Sequence, residues 1–123
     1  MASVHRGASN PVTALDEAFA TMPRLKVAAF LAGCAEAEFG VVAQKCDIAA
    51  SALSKAATTL EEAGYLRIRK GYVGRRPRTW LCLTPIGLES FEAHLAALTE
   101  LTNQGRALTG RETATEESPS STG

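Results

Sequence analysis

The sequence lacks most of what the common functional classes require. Its three cysteines, Cys34, Cys46 and Cys82, are an odd number with no closely spaced pair. That argues against a disulfide framework or a thiolate metal site and fits a reducing cytosol. No apolar run approaches the ~18 residues of a membrane span, and the start, Met-Ala-Ser-Val-His-Arg, has no apolar signal core. No membrane partner is expected, and the protein is read as cytoplasmic. There is no glycine-rich phosphate loop, no HExxH pair, and no Ser/His/Asp set in a supporting context. The adjacent acids Glu61-Glu62 and Glu116-Glu117 point apart, and Cys82, Glu92 and His94 have no metal-ligand spacing. No enzymatic activity, cofactor or metal is therefore expected. Aromatics are scarce at 6%, so the core of this one-domain chain must be mainly Ala, Leu and Val.

Acid is missing from one stretch in particular. Arg67, Arg69, Lys70, Arg75, Arg76 and Arg78 hold six of the 13 bases with no acid between them. The other seven bases face all 13 acids, a net of −6, so a formal charge of zero conceals a dipolar molecule. A concentrated positive segment on an acidic body is an address for a polyanion. The segment alternates like a strand from Tyr65, breaks at Gly71 and Gly74, turns through Pro77 and resumes as a second strand to Leu83. This predicts a β-hairpin with a basic tip.

Elsewhere the periodicity is helical. Leu15, Phe19 and Met22 predict a first helix to about Thr21. Pro23 suits the first turn of a second helix, whose stripe is Val27, Phe30, Leu31 and Cys34. A short third helix follows Phe39-Gly40, with Val42, Ala43 and Cys46 as its apolar side, and Asp47-Ile48-Ala49 reads as a tight turn. A fourth runs from about Ala50 to Ala63 and stops at Gly64. Thr84-Pro85 starts a fifth, carrying Leu88, Phe91, Leu95 and Leu98 at heptad-like spacing. Residues 1–11 read as a flexible N-terminus, 12–102 as the folded domain, and 103–123 as a disordered tail. The fold class is mostly α with a small β-hairpin, in the order α-α-α-α-β-β-α.

Helical phase divides the fourth helix. With Leu53 inward, Ala57, Leu60 and Gly64 share its side. Ser51, Lys55, Thr58 and Glu62 face away, flanked by Ser54 and Thr59. The outer face is small, polar and free of acid over its first two turns, as insertion into a major groove requires. The plainer alternative is an ordinary solvated helix face. For the hairpin the alternative is a solvated loop whose arginines pair with Glu61, Glu62 or Glu89. Trp80 and Tyr72 read as hairpin packing residues, and the three cysteines as small hydrophobes. His94 reads as a surface or interface residue.

Three local patterns together resemble the winged helix-turn-helix regulators, specifically small MarR-related proteins with a single long C-terminal helix. They are Ser51-Ala-Leu-Ser-Lys55 with Leu60-Glu-Glu-Ala-Gly-Tyr-Leu66, Arg69-Lys-Gly-Tyr72 with Arg75-Arg-Pro-Arg-Thr-Trp80, and Leu83-Thr-Pro-Ile-Gly87. The resemblance covers roughly residues 15–101. It implies a dimeric double-stranded DNA-binding transcriptional regulator, a repressor acting by steric exclusion. Its recognition helix would lie at about 50–63 and its basic wing, 71–79, at the minor groove or phosphates. The expected DNA-binding residues are Ser51, Ala52, Ser54, Lys55, Thr58, Arg69, Lys70, Arg75, Arg76 and Arg78. Where similar proteins often carry Arg-His after the Leu-Ser pair, this chain has Lys55-Ala56, so shape readout through the wing gains weight. Leu15, Phe19, Leu88, Phe91, Leu95 and Leu98 are the expected homodimer interface, predicting a palindromic operator. A small-molecule effector, by the same resemblance, would use Phe19, Met22, Phe30 and Phe91. The competing functions are a winged helix used for protein association and a cysteine-based redox sensor.

Overall fold

The computed structural model describes residues 10–109. Of the expected flexible ends, residues 1–9 and 110–123 lie outside that range.

The residues expected to form a first helix make two short 3-10 turns instead, Pro11–Ala14 and Glu17–Phe19. Leu15 and Asp16 between them are extended. The side chains of Asn10 and Asp16 each accept from the backbone N–H two residues on, at Val12 and Ala18. Such local bonds offer the backbone an alternative to the helix. The apolar spacing marked burial correctly at Phe19, which is 2% exposed, but not the secondary structure.

Helix α1 is Met22–Ala32, capped by the Thr21 hydroxyl, with Pro23 in its first turn. A two-residue strand, β1 (Ala37–Glu38), not anticipated from sequence, leads into α2 (Phe39–Cys46). Two successive helix exits then set the geometry of everything that follows. At the first, Ile48 N–H donates to the Ala43 carbonyl and Asp47 N–H to that of Gln44, with Asp47 left-handed at φ 56. At the end of α3 (Ala50–Glu62), Tyr65 N–H donates to Leu60 and Gly64 N–H to Glu61, with Gly64 at φ 83. Both are Schellman closures, which satisfy the last carbonyls and reverse the chain sharply. Helix α3 buries Leu53, Ala56, Ala57 and Leu60. Its small residues meet Val27 and Ala28 of α1 in the same core.

Strands β2 (Leu66–Val73) and β3 (Arg76–Leu83) pair antiparallel throughout, and β1 pairs with β3 at Ala37↔Leu81 and Glu38↔Trp80. The sheet order is β1-β3-β2. Of the wing expected at 71–79, all but the two-residue turn is paired strand. The turn is only Gly74-Arg75, with Gly74 at φ 66, the pattern of a two-residue II′ hairpin. Pro77 lies within β3, where β1 has already ended, so its missing N–H faces an open edge.

The core within Asp16–Glu92 gathers Phe19, Val27, Leu31, Val42, Leu53, Leu60, Leu66, Leu81 and Phe91. Phe19 stacks on Tyr65 at 5.6 Å and meets Phe91 edge-on at 5.4 Å, and the Tyr65 hydroxyl donates to the Asp16 carboxylate. A second compact unit comprises the chain up to Leu15 and from Ala93 on. There His94 and Ala97 are buried, whereas Leu95, Leu98, Leu101 and Leu108 are exposed. His94, read as a surface or interface residue, is 9% exposed within the chain. Helix α4 (Pro85–Thr109) continues past the expected boundary at 102, because Gln104, Arg106, Ala107 and Leu108 are good helix formers. Cys34, expected on the helical stripe of α1, lies beyond its end and is exposed.

The first turn of α4 is fixed by Thr84. Its N–H donates to the Tyr65 carbonyl at 2.9 Å, its hydroxyl to the Gly64 carbonyl at 2.7 Å, and the same hydroxyl accepts from Gly87 N–H at 3.0 Å. A Cβ at Gly87 would lie 2.1 Å from the Tyr65 carbonyl oxygen, a backbone atom that cannot swing away. Gly87→Ala should destabilise the protein by ~1–3 kcal/mol, as overpacking does, measured by urea unfolding. Wild-type stability in this variant would mean that α4 does not dock there.

Candidate nucleic-acid interface

The recognition face is built from α3. Ser51, Ser54, Lys55 and Thr58 are exposed, Ala52 is half-buried, and no acid occupies the first turn. The N-cap, Ala49, contributes no side-chain bond, so first-turn N–H groups remain donors pointing outward at the positive end of the helix. The Thr58 hydroxyl donates to the Ser54 carbonyl at 3.0 Å, so it meets an incoming base as an acceptor and a methyl group. Ala56, read beside Lys55 as part of the departure from the family pattern, is 4% exposed and belongs to the core.

The hairpin register sorts the basic residues by face, since side chains alternate along a strand. Leu66, Ile68, Lys70 and Tyr72 share one face with Pro77, Thr79, Leu81 and Leu83. Arg67, Arg69, Gly71 and Val73 share the other with Arg76, Arg78, Trp80 and Cys82. Lys70 thus faces the recognition helix. A groove of about 540 Å3 runs between them, lined by Ser54, Thr58, Lys70, Pro77 and Thr79 over a floor including Ile68 and Leu81. Arg75 and Arg76 project at the tip, both exposed. Tyr72, expected to pack the hairpin, is 72% exposed. Trp80 does pack, with Gly71 leaving room for its ring at 3.3 Å.

Two of the expected DNA contacts are engaged within the protein. Arg69 forks onto Glu36 with two 3.0 Å bonds and lies 4.3 Å over the Trp80 ring. Arg78 pairs with Glu38 at 2.9 Å. Glu61, Glu62 and Glu89, considered as partners from sequence, make neither pair. The acids lie in and just before the missed strand β1. Its only sequence signal is the short alternation Ala35-Glu-Ala-Glu-Phe39. Arg69 beside Glu36 holds that carboxyl below its ordinary 4.5, and the same bond raises Arg69.

Other expected sites are placed differently. Phe19 and Phe91, proposed for both a dimer interface and an effector cleft, are buried against one another in the core of one chain. Met22 is 61% exposed and Phe30 half-buried. None of these four lines the groove described above, nor a smaller one of about 340 Å3 bounded by Thr21, Pro23, Arg24, Ala52, Lys55, Ala56 and Thr59. Leu15 and Leu88 are half-buried, and Leu95 and Leu98 exposed. Burial raises the Cys46 thiol above its ordinary value, which keeps it protonated and unreactive. Among the described residues no cluster could hold a metal ion, and no helix is long and apolar enough to cross a membrane.

A helix-turn-helix followed by a hairpin, with a long helix after it, defines a winged helix-turn-helix. The chain belongs to the winged helix DNA-binding domain family, whose model matches residues 24–102. No curated protein matches it. Among solved structures, a transcriptional regulator homologue from Pyrococcus horikoshii OT3 is similar with a TM-score of 0.67 at 24% identity, over 72% of this chain and 88% of that one. NadR in complex with 4-hydroxyphenylacetate gives 0.60 at 25% identity, over 85% and 73%. A MarR-family regulator from Silicibacter pomeroyi gives 0.55 at 19%, over 70% and 57%. The protein is a winged-helix DNA-binding protein.

The Glu36 pair has a pH signature. Its folded value is depressed, so its contribution is present above the unfolded value and is lost as pH falls through the folded one. Glu36→Gln should therefore show a smaller loss of unfolding free energy than wild type on acidification below the ordinary glutamate range. Superimposable pH profiles would show that the pair does not form in solution.

Proposed function

We propose that the protein is a homodimeric, sequence-specific repressor of transcription that binds a palindromic duplex operator. The observation that carries this reading is the groove in which Ser54 and Thr58 of a helix with no acid in its first turn meet Lys70 of the wing, with Arg75 and Arg76 exposed at the hairpin tip. In this arrangement α3 enters the major groove. Lys55 reaches a guanine edge or a phosphate, Ser51 and Ser54 offer hydroxyls, and Ala52 and the Thr58 methyl meet thymine methyls. One of Arg75 or Arg76 enters the adjacent minor groove and the other holds a phosphate. The short II′ turn supports this role, since a tip fixed by strand pairing places arginines with little ordering cost.

The exposed leucines of α4, Leu95 and Leu98 with Leu101 beyond them, are the surface we assign to the second copy. A two-fold dimer would set half-sites one helical turn apart, about 34–36 Å. Occupying a promoter-overlapping operator would exclude polymerase. The similarity to NadR, solved with 4-hydroxyphenylacetate, makes small aromatic acids the first class of effector to screen.

Fluorescence anisotropy tests the reading. The protein should prefer duplex from its own upstream intergenic region over a scrambled duplex by ~10³-fold or more, and Arg75→Ala/Arg76→Ala should abolish most of that preference. Equal, weak binding to both duplexes would reduce the activity to phosphate attraction and favour a protein partner for the wing.

A further inference from the structure

We infer that Glu36 and Glu38 withdraw Arg69 and Arg78 from phosphate binding, leaving Arg67, the tip and the inner face of the wing to carry it, and so determine specificity; this rests on the DNA-binding reading above. The outer face of the hairpin carries Arg67, Arg69, Arg76 and Arg78 in register, a continuous basic strip by sequence. The structure divides it. Strand β1, paired with β3 at Ala37↔Leu81 and Glu38↔Trp80, and Glu36 just before it set two carboxylates beside Arg69 and Arg78. Arg69 is held on two sides, by the Glu36 fork and by the Trp80 ring. Gly71 beside that ring has no side chain to displace it. Arg67, Lys70, Arg75 and Arg76 take part in neither pair.

The consequence follows from what binding a polyanion measures. Affinity for phosphates grows with the condensed counterions released, hence with the net positive charge brought to the duplex. An Arg–Glu pair brings almost none. A phosphate approaching Arg69 also approaches Glu36, so the guanidinium gains little by exchanging partners. Non-specific binding is essentially all electrostatic, whereas specific binding adds base contacts and shape. Charge cancelled at Arg69 and Arg78 therefore weakens binding to random duplex more than to the operator.

The test is the salt dependence of binding by the full-length protein to operator and scrambled duplexes. Glu36→Gln/Glu38→Gln should steepen the slope of log affinity against log salt by up to about 1.8 per protomer, at about 0.9 per phosphate newly contacted. Affinity for scrambled duplex should rise more than for operator, so discrimination falls. Adding Arg69→Ala and Arg78→Ala to that variant should restore the wild-type slope. The same charge change elsewhere, Glu89→Gln/Glu92→Gln on the exposed side of α4, should leave the slope unchanged. A wild-type slope in the glutamine pair, or weaker binding to both duplexes, would overturn the inference and reduce the acids to structural braces. A steeper slope that the arginine substitutions fail to reverse, or that Glu89→Gln/Glu92→Gln reproduces, would also overturn it. Absence of operator preference in the wild type would instead refute the function on which the inference rests.

Discussion

The backbone of Tyr65 is approached so closely by the first turn of the C-terminal helix that position 87 has no room for a side chain. Three elements meet there. The recognition helix ends in a Schellman turn at Gly64, the hairpin begins at Leu66, and α4 begins at Pro85. Thr84 ties them, donating from backbone and side chain to Tyr65 and Gly64 while accepting from Gly87. The angle between recognition helix and wing is thus set by the hydrogen bonds of the Thr84 backbone and hydroxyl and by a steric exclusion. Tyr65 extends the tie to the N-terminal segment through its ring on Phe19 and its hydroxyl on Asp16. A two-part reader needs such a joint, because α3 and the wing can match one duplex only if their separation is fixed before binding.

Electrostatics on the wing obey a second constraint. Pairing at exposed sites contributes little to stability, so the Glu36 and Glu38 bridges explain little of why the hairpin folds. That follows from full β2–β3 pairing and the burial of Leu66 and Leu81. Their importance lies in charge distribution. A run of six bases in sequence becomes, in three dimensions, two arginines neutralised by Glu36 and Glu38, a charged tip of Arg75 and Arg76, one lysine facing the groove, and Arg67 outside both pairs on the outer face.

The fold was legible because its signals are local. Pro23, Asp47, Gly64 and Thr84-Pro85 mark helix boundaries by chemistry that needs no partner, and the strand alternation separates Arg67 and Arg69 from Leu66 and Ile68. What sequence did not show depends on long-range pairing or competition. Strand β1 is two residues long and exists only because β3 offers it an edge. The 3-10 turns at Pro11–Ala14 and Glu17–Phe19 replace a helix because Asn10 and Asp16 win their backbone donors. The heptad-like row Leu88, Phe91, Leu95 and Leu98 suggested one seam. Yet Phe91 faces Phe19 in the core while Leu95 and Leu98 are exposed. The arginine partners were invisible for the same reason as β1, because Glu36 and Glu38 lie more than 30 residues from the bases they meet.

Burial of Ala56 changes how the recognition helix is read. With position 56 in the core, only Lys55 of the Lys55-Ala56 pair faces outward, and Thr58 has committed its proton to Ser54. The outward inventory is one cation, two serine hydroxyls, an acceptor and small apolar surface. None of these makes the bidentate contacts by which arginine, asparagine or glutamine single out a base. Discrimination must then come from how closely the helix can approach the groove floor, which small side chains favour, and from whether the duplex can bring its minor groove to Arg75 and Arg76 at the same time. Both depend on duplex shape, and both require the fixed separation that the Tyr65–Gly87 contact provides.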